Sequence, residues 1–359
     1  MKTQAKAWAV GLLKYGIGFG LLTWVVMSNW EPKAGGPGLK GLLQRPVNVP
    51  ALLGVALLFT GAVGLQIVRW YLLVRALELP FTLRNALRLG LVGSFYNTFL
   101  PGAVGGDLIK AYAIAKGTPG NRTKAVATVV ADRAIGLFGL ILYVAAVGGG
   151  CWLAGDARIQ GNDWLQYMVR TTATIIGISV VGWFVLGFLP ERRAQRFAGR
   201  LESIPKVGKS LRELWLTVWV YRQRPKAILV AVGLSAVAHT MFVFGFDMAT
   251  RTFPPDNPDA DIATLPEHFV VVPIGLIAQA LFPAPGGVGG GEAVFGWLYS
   301  DVIKKPATTG IMASLTIRAI MWVVGLIGYI VYLRMKHDHE IPSEGEETAD
   351  RRQESDKPQ

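Results

Sequence analysis

Apolar residues run almost unbroken along six stretches of this chain, residues 8–27, 49–73, 125–152, 169–189, 227–246 and 310–333, separated by short polar connections. Each stretch has about the 20 residues that a helix needs to cross hydrocarbon. The pattern therefore predicts an all-α integral membrane protein with about six full spans. Two further stretches, 81–116 and 269–303, are apolar but interrupted by glycine-rich passages. They read as broken helices, since irregular backbone at membrane depth survives only where protein or a wet cavity satisfies it.

The glycine passages form a repeat. Pro101-Gly102-Ala103-Val104-Gly105-Gly106-Asp107 returns as Pro285-Gly286-Gly287-Val288-Gly289-Gly290-Gly291-Glu292, with one extra glycine. Arg133-Ala134-Ile135 returns as Arg318-Ala319-Ile320, and the acid precedes the arginine by 26 positions in both copies. The shared interval points to an internal duplication whose working centre lies where the two copies meet. Residues 1–153 form the first repeat and 154–333 the second, with a basic cytoplasmic loop at 190–226 and a disordered cytoplasmic tail at 334–359.

Charge distribution sets the topology. Were residues 83–100 a complete crossing, the loop at 190–226 would share neither side with the lysine-containing N-terminus nor with Arg75, Arg84 and Arg88. A re-entrant pair of half-helices puts all these positive segments in the cytoplasm and the acidic connection (Asp256, Asp259, Asp261) outside. The repeat extends the same reading to the second stretch. Three crossings per half then make the second half inverted, the plan of many secondary transporters with broken helices meeting near the midplane. Both termini are expected in the cytoplasm, with the chain in the inner cell membrane.

Composition agrees with this and narrows the function classes. Hydrophobic residues make up 52% and charged residues 17%, and mean hydropathy is +0.39, outside the soluble range. The net charge of +12 concentrates in the 190–226 loop, with ten Lys/Arg against three acids. Such a loop suits topology and anionic lipid headgroups, and with no recognition motif beside it nucleic acid is excluded. The single cysteine, Cys151, excludes an internal disulfide or a multi-cysteine metal site. Lys14 splits the first apolar stretch and no small-residue cleavage site follows Met27. With Trp24 and Trp30 as interfacial anchors, it reads as an uncleaved span.

The candidate chemistry lies at the breaks. Each glycine passage delivers a helix N-terminus into the interior, where free N–H groups and the dipole favour an anion. Gly105, Gly106, Gly289 and Gly290 are the candidate amides, Asp107 is placed as an N-cap, and Glu292 as a residue of the matching first turn. Either those carboxylates simply satisfy the amides, or capping and ligand binding share them. Arg133 lies about 13 Å into its span counted from Lys124, and Arg318 at a similar depth from Ala307. A charge there costs at least about 2.5–3.5 kcal/mol on insertion scales. It needs either an ion-pair partner (Asp107 or Asp132 for Arg133, Glu292 for Arg318) or a phosphate held bidentately. Lys110, Arg69 and Arg75 are candidates for the cytoplasmic mouth, or basic ends that merely snorkel. Asn97 either lines the break or bonds freed carbonyls. His239, alone in an apolar span, reads as a packed histidine ahead of a proton relay, and His337 and His339 have no metal-binding framework around them.

These residues resemble one family. The runs GSFYNTFLPGAVGGDLIKAYAIAKG (93–117) and ADRAIGLFGL (131–140) look like the signature of the lysylphosphatidylglycerol synthase transmembrane region, also called the flippase-like domain family. Asn97, Leu100, Pro101, Gly102, Gly105, Gly106, Asp107, Asp132, Arg133, Pro285, Gly286, Gly287, Gly289 and Glu292 match its pattern. The chain departs from it at Gly291, where an arginine often precedes the glutamate. The resemblance implies a stand-alone membrane domain that binds an anionic phospholipid or lipid-linked glycan in a central cavity and assists its transbilayer movement. The alternative it leaves is a non-transporting accessory subunit for a separate synthase or glycosyltransferase. No nucleophile–base set or P-loop accompanies it, so neither catalysis nor a cofactor or metal is expected. Glycine-rich faces also leave room for a homo-oligomer.

Overall fold

A computed structural model describes residues 2–31, 38–100, 105–118, 121–205 and 208–337. Pro101, Gly102, Ala103 and Val104 of the first glycine passage lie outside them, as does the predicted tail from residue 338 onward. The described chain is helical, with no strand among those residues. The first half runs through α1 (Lys2–Ser28), α2 (Leu39–Leu43), α3 (Val49–Ala76), α4 (Leu83–Phe99), α5 (Gly105–Lys116) and α6 (Arg122–Leu153). A short α7 (Ala157–Gln160) precedes α8 (Asp163–Phe188), α9 (Glu191–Glu202), α10 (Gly208–Arg222) and α11 (Pro225–Thr250). Then follow α12 (Pro258–Asp261), α13 (Leu265–Leu281), α14 (Gly290–Trp297) and α15 (Ala307–His337). Six of them (α1, α3, α6, α8, α11 and α15) are long and apolar enough to cross a bilayer.

The six expected spans are all present, and their helices outrun the apolar runs because polar residues start them. The Asn48 side chain accepts the Ala51 amide ahead of α3, and Asn162 accepts the amides of Trp164 and Leu165 ahead of α8. Thr264 and Glu267 form a reciprocal capping box at the start of α13. Two expectations change. The basic 190–226 loop contains two helices, α9 and α10. Ala194 and Ala198 are buried there, and the Trp215 indole donates to the Ala194 carbonyl at 2.9 Å. Tyr221 of α10 donates to the Leu73 carbonyl at 3.0 Å, and burial pushes its hydroxyl above its ordinary pKa. The last span does not stop at residue 333 but continues as helix to His337, with Arg334, Lys336 and His337 in its last turn, where cations suit the dipole.

α4 and α5 fold back on each other as an antiparallel hairpin. Gly93 of α4 meets Lys110 of α5, while Asn97, one turn on, meets Gly106, one turn back. α13 and α14 do the same, with Gly275 against Phe295 and Gln279 against Gly291. The contact pattern of the halves corresponds. α3 packs on α4 and α6 as α11 packs on α13 and α15, and α15 lies on α4 as α6 lies on α13. The α3–α11 seam is the most extensive of all.

Lipid tails are as apolar as leucine, so close packing and internal polar bonds hold such a bundle together. Leu53, Leu57, Ile178, Phe184 and Val185 point outward, whereas small residues sit at the seams. Gly328 of α15 is among the tightest cases, since a Cβ there would stand 2.1 Å from the Leu91 carbonyl oxygen of α4. Gly328→Ala is expected to lower stability by about 1–2 kcal/mol, because overpacking against backbone outweighs the usual gain of about 0.5–1 kcal/mol for Gly→Ala in a helix. Gly149→Ala, where a Cβ meets nothing within 4 Å, should not lower it. Thermal unfolding of the detergent-purified proteins compares the two.

Candidate functional site

Interrupting a helix frees backbone carbonyls and amides, and in hydrocarbon each must find a partner. At the second passage two side chains supply several of these partners, and Gln279 Nε2 adds a bond to the Gly286 carbonyl at 3.1 Å. Glu292, in the first turn of α14, accepts the Gly289 amide on Oε2 at 2.8 Å. Its Oε1 accepts the Nε–H of Arg318 and lies 3.4 Å from the Ser314 hydroxyl. Arg318 also donates to the carbonyls of Gly286 and Gly287 at 3.1 and 3.3 Å. Glu292 and Arg318 are 0% and 3% exposed. Gly289 itself has φ +78°, where a side chain is strained, and the Gly18 carbonyl of α1 passes where its Cβ would be. Gly290 lies against the Phe282 ring.

The first passage repeats the pair and changes its surroundings. Arg133 Nε–H donates to the Asp107 carboxylate, as Arg318 does to Glu292. Asp107 is buried, but the Arg133 side chain is 50% exposed. The Lys110 ammonium stands 4.0 Å from Asp107 and 5.3 Å over the Trp70 ring. Asn97 Oδ1 accepts the Gly106 amide at 2.9 Å, so it bonds a freed amide and not a carbonyl. Gly105 and Gly106 open α5, which makes Asp107 its third residue and not its N-cap; the carboxylate turns to Arg133 instead.

Asp132 does not pair with Arg133. Neighbouring residues on a helix point about 100° apart, and Asp132 faces α3, where Arg69 Nε donates to it at 2.8 Å. Arg69 is buried at 4% exposure, and Nη1 reaches Ser235 of α11 at 2.7 Å. It is thus not at the mouth but ties α3, α6 and α11 together. The cluster of Asp107, Asp132, Arg69, Lys110 and Arg133 holds three cations to two carboxylates, an excess of one positive charge with Lys110 protonated. The second pair is neutral. The second passage adjoins the end of α4, since a Cβ at Gly286 would lie 3.6 Å from the Thr98 carbonyl. Tyr15 of α1 donates to the neighbouring Phe99 carbonyl.

One buried polar chain escaped the sequence reading. His268 Nδ1 lies 3.1 Å from Asp247, and its Nε2 meets the Tyr299 hydroxyl, with His268 wholly buried. Arg251 bonds Asp247 through two nitrogens, which holds its guanidinium above the ordinary pKa. The signal was an acid just past the apolar run 227–246, because α11 carries that run on to Thr250. Among the described residues no group of three metal-binding side chains gathers.

Fold and site together define a polytopic helical membrane protein with two acid–arginine pairs at its helix breaks. The family model described as the lysylphosphatidylglycerol synthase TM region matches residues 11–328, and the chain belongs to that family. It is 23% identical over 312 residues to a UPF0104 membrane protein of Methanothermobacter thermautotrophicus, covering 82% of this chain and 88% of that one. No solved structure matches.

The burial difference between the pairs has a measurable consequence. Glu292→Gln leaves an uncompensated charge in a sealed site and is expected to cost about 3 kcal/mol or more. Asp107→Asn, beside a half-exposed arginine, is expected to cost about 1 kcal/mol. Thermal unfolding in detergent would rank them.

Proposed function

We propose that this chain binds the phosphate of an anionic phospholipid or lipid-linked glycan at the first acid–arginine site and facilitates its movement across the inner cell membrane. The observation that carries the reading is the difference between two homologous arginines. Arg318 is sealed against Glu292 and two carbonyls, while Arg133 exposes half its side chain beside Lys110 in a cluster with one excess positive charge. One excess charge matches the single negative charge of a phosphodiester, and arginine presents it with paired donors. Acyl chains would stay in lipid while the headgroup passes through the bundle.

The corresponding contacts of the two halves support an inverted repeat, with the α4–α5 and α13–α14 hairpins as re-entrant pairs and both termini in the cytoplasm. In that arrangement Glu292–Arg318 is the fixed counterpart of a working Asp107–Arg133 pair, so Arg318, Glu292, Gly289 and Gly290 hold the frame. Asn97, Gly105, Gly106 and Asp132 position the groups that meet the lipid.

The test is translocation of fluorescent phospholipids in proteoliposomes across several anionic headgroups. Arg133→Gln should remain folded and slow movement about tenfold or more, with zwitterionic lipid moved little by either chain. Arg318→Gln should instead lose folded protein. No movement of any headgroup by folded wild-type protein would overturn transport in favour of an accessory subunit for a separate synthase or glycosyltransferase.

A further inference from the structure

His239 sits on α11 in the middle of the bundle, 7% exposed, with one ring nitrogen unused. Its Nε2 lies 3.3 Å from the Gly136 carbonyl of α6, which fixes that nitrogen as the donor. Nδ1 is then a bare lone pair, buried and without a hydrogen-bond partner. A buried acceptor left unmade costs about 1–3 kcal/mol and calls for an explanation in water, ligand or chemistry.

Position gives the explanation. Gly136 is one helical turn beyond Asp132 and Arg133 on α6, so His239 adjoins the first acid–arginine cluster. Ser235, one turn earlier on α11, holds Arg69 of that cluster. Phe242, about one turn later, has its ring 6.4 Å from His239 and walls a small cavity containing Gln279, Ser314 and Arg318. The cavity is walled mainly by apolar side chains, with Gln279, Ser314 and Arg318 as its polar lining, and His239 stands behind Phe242. Charged and titratable groups approach the imidazole from each neighbouring helix. They are Tyr143 of α6, its ring 6.2 Å from the imidazole, and Arg69 of α3, which bonds Ser235 one turn earlier on α11 and carries Asp132 of α6 as its partner. Across the cavity stands Arg318 of α15, neutralised by Glu292 of α14, while α13 presents the uncharged Gln279.

We propose that His239 is a proton-accepting site whose protonation is linked to the charge held at the first acid–arginine cluster. A proton delivered by hydronium bonds to the Nδ1 lone pair and leaves neutral water behind. The imidazole becomes imidazolium and keeps its Nε2–H bond to Gly136. An anion near Arg133 favours that cation, and its departure returns the proton to water. Transport by this chain would then carry a proton or be gated by one. The inference rests on the proposed anion site at Arg133.

Histidine C2-hydrogen exchange, read by mass spectrometry on the full chain in nanodiscs, measures the titration of His239 directly and needs no transport. Discs of phosphatidylcholine alone are compared with discs containing phosphatidylglycerol. The half-exchange pH of His239 should differ between the two by about one pH unit or more, the size expected for charges within a few ångströms to about 8 Å of each other. The difference should vanish in the Arg133→Gln chain. An unchanged midpoint, or a change that Arg133→Gln retains, would overturn the proposal, the second outcome marking a surface-potential effect. An Arg133-dependent change in a chain that moves no lipid would overturn the transport reading and leave the proton linkage standing. In proteoliposomes, an imposed pH gradient should alter the translocation rate of the wild type severalfold and not that of His239→Gln; an equal response in both chains would also overturn the linkage.

Discussion

A broken helix in hydrocarbon must have every freed backbone group satisfied by the chain itself, and the Glu292–Arg318 pair meets a large part of that demand. The carboxylate takes the Gly289 amide and the guanidinium takes two carbonyls, while each cancels the other's charge. Neither residue alone would be tolerated, since a lone charge at that depth has no solvent to turn to. The spacing of 26 residues between acid and arginine follows from this. It is the length of chain needed to leave the break, turn, enter the next helix and come back to the same level. Around that fastening the hairpin α13–α14 can lie between α1 and α15, and α1 can bring Gly18 against the strained backbone of Gly289.

The same pair in the first half solves only part of the problem. Asp107 and Arg133 keep the interval and the Nε–H bond, and here a side chain of the preceding helix, Asn97, takes the Gly106 amide. The first pair has extra cations around it, and the Arg133 side chain is half exposed. A duplicated motif has thus been divided between a sealed copy and an open one. The sealed copy keeps the shape of the bundle, and the other leaves half of its arginine side chain exposed. On the proposed reading that exposed part is what a headgroup phosphate meets.

How much of this was readable beforehand depended on the range of the interaction. The six spans followed from local composition, and the two acid–arginine pairs from an interval repeated within the chain. Both survive in one dimension because each is a regular pattern. The partner of Asp132 was not readable, because Arg69 lies 63 residues away and is chosen by the angle between α3 and α6. For the same reason Arg69 passed for a residue of the mouth. α9 and α10 were hidden by their arginines, which looked like an unstructured positive loop although Ala194 and Ala198 recur at helical spacing. The Asp247–His268–Tyr299 chain was missed because each member lies at the polar margin of an apolar run, where an acid or histidine arouses no suspicion.

The two histidines of the interior show why burial alone does not assign a role. His268 has both nitrogens occupied, by Asp247 and Tyr299, so its ring fastens α11, α13 and the turn after α14, and gaining a proton would leave the tyrosine hydroxyl seeking a new acceptor. His239 has one nitrogen occupied by a backbone carbonyl that accepts equally well from the neutral ring and the charged one. A proton can come and go at its other nitrogen without breaking any bond the fold uses. A structural histidine is saturated in one state, whereas a working one keeps a group in reserve. Of the two, His239 is the one that meets this condition, and it bonds α6 one turn beyond Asp132 and Arg133.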